Sequence, residues 1–291
     1  MREHERQLVW SEEEMRYLDP PQRLRRGNLA NPLRRVLAHQ PAERPHEQTR
    51  SSVIYAPDGA QHGNFIDASY RRILADPAWS RRLLKAHTAK RQARPQGPEE
   101  ERRSWHELDA ATSSDALLMN IFCYPRVLAV GSLARLLGVE PNCVPEFGFK
   151  PRVLLQSGLR DRTEIDLRLG TLLIEAKLTE SGFQTAPVRL LERYGNCYEV
   201  FDREALEIEQ GQLAQYQLLR GVLAANALDG EFCLIVDARR KDLIECWAAT
   251  LRAVRSYELR TRLKLVTWQE IAAVVPRALR LYLGAKYDLQ S

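Results

Sequence analysis

The chain has 291 residues, of which 44% are hydrophobic and 28% are charged, a balance typical of a globular protein with a substantial core. No run approaches the roughly 18 consecutive apolar residues of a membrane span, and the N-terminus lacks the apolar segment of a signal peptide, so we expect a cytoplasmic protein without a membrane partner. The five cysteines are widely spaced and form no C-x-x-C pair, which favours reduced thiols.

The net charge of +5 is unevenly distributed along the chain. Residues 1–104 contain 20 Lys and Arg against 14 Asp and Glu, whereas the remaining residues contain 23 against 24. A basic N-terminal part suits a polyanionic substrate, although an Arg-rich solvated surface would produce the same excess. No histidine follows His106, so chemistry in the later part must depend on carboxylates, lysine and a hard metal ion.

Residues 1–104 are predicted to form a basic, partly irregular N-terminal extension with short helices. Prolines interrupt residues 1–50, a short strand is predicted at 52–55, and helical spacing runs from Phe65 to His87 with a break at Pro77. Residues 89–104 are polar and contain two prolines and a glycine, which is typical of a linker. We therefore predict a domain boundary near 104, with the second domain at 105–291.

The second domain is predicted to alternate helices and strands. The predicted elements, in order, are a helix beginning at Ser113 or Ser114, a helix over 130–137 ending at Gly138, a strand within 146–156, two strands within 163–177, a helical segment within 189–194, a long helix over 203–225, a strand over 231–236, a helix over 242–256, a strand over 263–267, and helices over 268–275 and 277–283. This order predicts an α/β fold with one mixed sheet flanked by helices.

The two strands within 163–177 carry an acidic residue each. If Gly170 and Thr171 form a two-residue type II′ loop, Asp166 faces Glu175. Opposed side chains lie about 5 Å apart at Cβ, so two carboxylates would repel each other unless a divalent cation lay between them. Lys177 projects from the same face as Glu175, because side chains repeat every second residue.

An alternative interpretation makes this hairpin two exposed edge strands with solvated acids, in which Lys177 simply pairs with Glu164. The apolar neighbours favour strands that are buried on at least one face. These neighbours are Ile165, Leu167, Leu169, Leu172, Leu173, Ile174 and Leu178.

The pattern Asp166…Glu175-Ala176-Lys177 resembles the catalytic signature of the PD-(D/E)XK nuclease superfamily, which has the restriction-endonuclease-like fold. The resemblance implies that Asp166, Glu175 and the Ala176 carbonyl bind Mg²⁺, or Mn²⁺ in its place, and that Lys177 attends the attacking water. It also implies a bacterial hydrolase that acts on nucleic acid, with DNA the expected substrate.

A second motif lies on the predicted long helix. Gln212 and Tyr216 are four residues apart, as in the Gln-x-x-x-Tyr motif of the RecB-like branch, which they resemble. The resemblance implies that this pair is catalytic and that Gln217 and Arg220 contact substrate. Alternatively, these glutamines are surface residues of an amphipathic helix and the tyrosine belongs to the core.

Such sites usually contain a further acid on the first helix of the domain. Asp115 is the candidate that we favour as a metal ligand, with Glu107 and, more weakly, Glu146 as alternatives. Glu180 would serve either the metal or the substrate, or would be a loop charge.

The sequence therefore predicts a Mg²⁺-dependent nuclease that hydrolyses phosphodiester bonds, with DNA as the expected substrate. The alternative is a non-catalytic nucleic-acid-binding or assembly module that retains the fold. A nucleotide-cofactor enzyme is not indicated, because no Gly-rich phosphate loop is present. The oligomeric state is left open.

Overall fold

The structure is a computed structural model that describes residues 46–48, 53–86, 106–129, 131–180 and 182–289. The strands are β1 His46–Gln48, β2 Val53–Tyr55, β3 Pro57–Asp58, β4 Gln61–His62, β5 Glu146–Phe149, β6 Ile165–Leu169, β7 Leu172–Ala176, β8 Ala186–Pro187, β9 Ile208–Glu209, β10 Gln212–Leu213, β11 Glu231–Val236 and β12 Leu263–Thr267. The α-helices are α1 Asp67–Ala75, α2 Pro77–Ser80, α3 Ser114–Phe122, α4 Gly131–Leu137, α5 Val188–Leu191, α6 Cys197–Val200, α7 Tyr216–Ala227, α8 Lys241–Ala253, α9 Tyr257–Thr261, α10 Trp268–Val274 and α11 Arg277–Tyr287. Within these described ranges, no helix combines the length and the apolar character that crossing a membrane requires.

The chain divides into two compact units, one formed by Met1–Leu133 with Ala272–Ser291 and the other by Ala134–Ile271. The second unit contains a five-stranded sheet in the order β12-β11-β7-β6-β5. Strands β5, β6 and β7 form an antiparallel meander, and β11 runs parallel to both β7 and β12. The predicted α/β class, with a mixed sheet flanked by helices, is confirmed, and the acidic strands β6 and β7 are both interior strands of this sheet.

Helix α7 packs directly on the sheet because it carries a glycine at its closest approach to β11. A Cβ atom placed on Gly221 would lie 2.3 Å from the ring of Phe232, so only a residue without a side chain permits this spacing. Gln217 lies one helical turn before Gly221 and therefore on the same side of α7, toward the sheet.

The first unit confirms the predicted helix start at Ser114 and the predicted break at Pro77. Helix α3 begins at Ser114, where the Ser113 hydroxyl accepts a hydrogen bond from the Ala116 N–H. Helix α1 ends before Pro77, and the Asp76 carboxylate caps α2 by accepting from the N–H groups of Ala78 and Trp79.

The prediction of one long helix over 203–225 is wrong. Only a 3-10 turn at Arg203–Ala205 precedes strands β9 and β10, which are joined by Gln210 and Gly211 with φ values of +49° and +75°. Two consecutive left-handed residues make a type I′ hairpin turn and cannot continue a right-handed helix. Helix α7 therefore begins at Tyr216.

The last helix was predicted to end at Gly284, and this boundary is also wrong. Helix α11 continues to Tyr287, and the left-handed Asp288 (φ +57°) ends it by donating its N–H to the Gly284 carbonyl. Leu283 and Tyr287 are both buried, so packing outweighs the roughly 1 kcal/mol that glycine costs inside a helix. The predicted linker at 89–104 and nearly all of residues 1–50 lie outside the described residues.

Candidate active site

The acidic hairpin has the register that the sequence predicts. Leu169 pairs with Leu172 and Leu167 pairs with Ile174, and Gly170 has the positive φ (+60°) that a type II′ loop requires at its first position. Counting outward in the same register, the next opposed residues are Asp166 and Glu175. The two acids therefore lie at the same point of two neighbouring central strands.

Glu175 is the most deeply buried carboxylate of this pair. Its residue is 0% exposed, and Lys177, which is 7% exposed, donates from Nζ to Glu175 Oε1 over 2.7 Å. The other oxygen, Oε2, is buried and has no hydrogen-bond partner among the described residues. A buried acceptor without a partner costs about 1–3 kcal/mol, so this atom marks a position that suits a ligand.

Asp166 is half-buried and lies beside Ala176, the residue between Glu175 and Lys177. Its Oδ2 accepts a hydrogen bond of 2.9 Å from the Ala176 N–H. No group of three or more His, Cys, Asp or Glu residues in the described ranges is arranged to hold a metal ion. A cation here would therefore take two carboxylates together with carbonyl, water or phosphate oxygens, which is the ligand set that Mg²⁺ commonly uses.

Lys177 carries a positive charge in this arrangement. Burial lowers the pKa of Lys177, but the carboxylates of Glu175, Glu180 and Asp166 raise it more, so the pKa stays above its ordinary value. The side chain is therefore a donor at neutral pH and cannot accept a proton. Glu180 is close enough to act on this ammonium, and its Oε2 also accepts from the Leu178 N–H.

Both backbone polar groups of Lys177 are hydrogen-bonded. Its N–H donates to the Ile235 carbonyl over 2.9 Å, and its own carbonyl accepts from the indole N–H of the fully buried Trp268 over 2.8 Å. Sequence reasoning missed Trp268. Its contact joins residues 91 positions apart, and no local pattern signals such a contact.

Gln217 reaches the buried carboxylate from α7. Its Nε2 donates to Glu175 Oε1 over 2.5 Å, so this oxygen has two donors whereas Oε2 has none. The resemblance implies a contact with substrate for Gln217, and this stays a prediction; the contact that the structure shows is with the acid. Its position on the first turn of α7, rather than the Gln-x-x-x-Tyr spacing, brings it there.

Gln212 and Tyr216 do not share a helix face, contrary to the prediction. Gln212 is an exposed residue of β10, paired with Pro187 and Glu209, while Tyr216 is the first residue of α7 and is buried. The four-residue spacing of Gln212 and Tyr216 is not helical, because the type I′ turn and strand β10 occupy the residues before α7 begins.

Tyr216 and Arg220 belong to a polar cluster that also contains Tyr194 and Asp161. The Arg220 guanidinium lies 5.8 Å from the centre of the Tyr216 ring, and the Tyr194 hydroxyl donates to Asp161 Oδ2 over 2.6 Å. Burial raises the pKa of Asp161. Hydrogen bonds from Thr163 and Tyr194 and the charge of Arg220 lower the pKa by more than burial raises it, so Asp161 stays ionised at neutral pH.

Asp115 lies in the first unit, on the first turn of α3. Its carboxylate accepts hydrogen bonds from Arg82, over 2.9 Å, and from Lys85. Burial raises its pKa, but these two cations outweigh burial and hold the pKa below its usual range. The described contacts thus give this carboxylate two cationic side chains as partners; its role as a metal ligand stays a prediction. Of the alternatives, Glu146 pairs with Arg168 over 2.8 Å.

Comparison with known proteins agrees with this architecture. A family model described as a restriction endonuclease associating with ARP matches residues 40–288, which include the acidic hairpin and α7. No curated protein and no solved structure matches the chain. A restriction-endonuclease family implies a nuclease-type function and interaction with nucleic acid. With its mixed central sheet and a match over most of its length, the chain belongs to this restriction-endonuclease-like family.

Proposed function

We propose that this protein is a metal-dependent nuclease of the PD-(D/E)XK type that hydrolyses phosphodiester bonds in DNA. The observation that carries the proposal is the unpartnered Oε2 of the buried Glu175, with Asp166 opposite and the Lys177 ammonium on Oε1. A purely structural buried carboxylate would have both oxygens satisfied, because leaving one unpaired costs free energy.

The residues that would hold the cation are Asp166, Glu175 and the carbonyl of Ala176. A bound Mg²⁺, or Mn²⁺ with the same oxygen ligands, would polarise the scissile phosphate and lower the pKa of a water molecule.

Lys177 would donate to charge that develops on the phosphate or to the attacking water. It acts as a preorganised cation, because its neighbouring carboxylates keep it protonated and its backbone is fixed by Trp268 and Ile235. Gln217 would fix the rotamer of Glu175, which makes it a positioning residue.

A RecB-like assignment is supported by the place of α7, which begins with Tyr216 and follows the Glu-x-Lys strand. In this assignment Tyr216 and Arg220 would position the DNA backbone, as the resemblance implies. Gln217, rather than Gln212, would take the glutamine's place beside the acids, since Gln217 is the residue that contacts Glu175.

The test is cleavage of circular and linear DNA with Mg²⁺, with Mn²⁺ and with EDTA. Asp166→Asn keeps an oxygen that can accept from Ala176 and removes only the charge, so the variant should fold and lose at least about 100-fold in rate. Glu204→Gln, at an exposed residue of the 3-10 turn, is the matched control and should cut normally. Cleavage by Asp166→Asn at the wild-type rate, or wild-type cleavage in EDTA, would contradict the proposal.

The second candidate is a non-catalytic nucleic-acid-binding module. One observation favours it: Lys177 and Gln217 both donate to Glu175, so the carboxylate is partly satisfied without a cation. Retained DNA affinity without cutting under any metal condition would support this candidate.

A further inference from the structure

A second feature of the Ala134–Ile271 unit is an open pocket of about 710 Å³ with strongly basic walls. Its lining contains five cationic side chains and one carboxylate. These are Lys150, Arg152, Arg160, Arg162 and Arg193, with Asp161. The charge count of residues 105–291 is close to balanced, so the sequence does not reveal this local excess.

Four of the cations come from one short lobe between β5 and β6. The lobe turns back on itself: Leu155 donates to the Leu159 carbonyl and Asp161 donates to the Val153 carbonyl, both over 2.8 Å. Arg152 has a left-handed backbone (φ +55°), and its carbonyl accepts from Arg160 over 3.1 Å.

The cations of the pocket are only partly neutralised. Lys150 has one distant ion pair with Glu164, at 3.6 Å. For the guanidinium groups of Arg152, Arg162 and Arg193, no acidic partner occurs among the described residues. Asp161 offsets at most one of the five positive charges, and its carboxylate also faces the charge of Arg220. The pocket therefore presents a net positive surface that is open to solvent.

The pocket lies at the same end of the sheet as the acidic pair. Lys150 directly follows β5, whose last residue Phe149 pairs with Ile165, the neighbour of Asp166. The partner of Lys150 is Glu164, two residues before Asp166 and on the same side of the strand. The lobe therefore leads directly into the strand that carries Asp166.

We propose that the lobe at 150–163 and Arg193 form the DNA-backbone binding site that presents the strand to the acidic pair. This deepens the proposed function, on which it rests, and assigns DNA affinity to the Ala134–Ile271 unit rather than to the basic N-terminal extension alone. Exposed arginines in a concave site are suited to phosphate oxygens, because their planar forks bind both oxygens and the contacts do not depend on base sequence.

The test measures binding and cutting separately. Fluorescence anisotropy with a labelled DNA duplex in EDTA gives the affinity over a range of NaCl concentrations, so turnover cannot interfere. The pocket variant is Arg152→Gln, Arg162→Gln, Arg193→Gln. The matched control is Arg203→Gln, Arg252→Gln, Arg260→Gln, which removes the same charge at exposed positions outside the pocket.

Each lost phosphate contact makes the negative slope of log K against log [NaCl] shallower by about 0.9. The pocket variant should therefore have a slope that is shallower by about 2 to 3, and its affinity near 0.1 M salt should fall at least tenfold. The control should stay within about threefold of wild type. Wild-type affinity in the pocket variant, or an equal loss of affinity in the control, would contradict the proposal that the pocket binds DNA. If the wild type binds DNA but does not cut it in Mg²⁺, the nuclease proposal is contradicted and the DNA-binding role of the pocket is not.

Discussion

Replacing Lys177 with methionine tests the buried charge pair on which the site depends. Methionine has similar length and no charge, so the change removes the ammonium and leaves Glu175 with Gln217 as its one remaining donor among the described residues. The side chains of Lys177 and Glu175 are 9% and 1% exposed, so solvent screening is weak. Breaking a pair at such depth leaves an uncompensated charge and costs about 3–5 kcal/mol of unfolding free energy.

A double-mutant cycle separates this cost from simple loss of packing. Glu175→Gln combined with Lys177→Met removes both charges, so the double variant should be more stable than the sum of the single variants predicts, by about 2 kcal/mol or more. Added Mg²⁺ should replace the missing positive charge in Lys177→Met and recover about 2.7 kcal/mol at a concentration 100 times its dissociation constant. The double variant should not respond to Mg²⁺.

The measurement is urea denaturation followed by far-UV circular dichroism, with EDTA and with Mg²⁺, on the wild type and the three variants. A loss below about 1 kcal/mol for Lys177→Met would refute the buried pair, since exposed pairs have that magnitude. A loss of the expected size without any recovery in Mg²⁺ would leave the pair in place and refute the cation site.

Three further outcomes follow from other parts of the Ala134–Ile271 unit. Gly221→Ala should lower the melting temperature, because a Cβ atom 2.3 Å from the Phe232 ring costs about 1–3 kcal/mol of overpacking and outweighs the helix propensity of alanine; an unchanged or higher value would contradict this packing. Asp161 has a lowered pKa in the folded protein, so it stabilises the fold above about pH 4, and this contribution is lost as the pH falls through the folded pKa. Tyr194→Phe should therefore reduce the difference in unfolding free energy between pH 7 and pH 3. An undiminished difference would rule out this hydrogen bond. Gln217→Leu should slow cleavage while leaving DNA affinity in EDTA within twofold, and a parallel loss of affinity would show that it binds substrate instead.

The elements that the sequence predicted well are those specified by near neighbours. The acidic hairpin is the clearest case: a Gly-Thr pair between two apolar runs sets the loop, and the loop sets the register that opposes Asp166 and Glu175. The N-terminal cap of α3 at Ser113 and the end of α4 before the left-handed Gly138 are local in the same sense.

The region before α7 was misassigned because its apolar spacing is compatible with a helix. Strand β10 exists through its partners, since Leu213 pairs with Ile208 on one side and with Ala186 on the other. Ala186 is far away along the chain, so a pattern within 203–225 contains no signal for that pairing. The spacing of Gln212 and Tyr216 therefore predicts a shared helix that the structure does not contain.

The sequence alone determined that two acids and a lysine lie on the same face of one hairpin, because the alternation of side chains along a strand fixes their side. Only the tertiary structure decided what surrounds them. The contacts of Gln217 and Trp268 with the hairpin span 42 and 91 residues. The unpartnered oxygen of Glu175 and the grouping of four lobe cations with Arg193 likewise depend on how distant segments pack, which is set by burial over the whole core rather than by any local pattern.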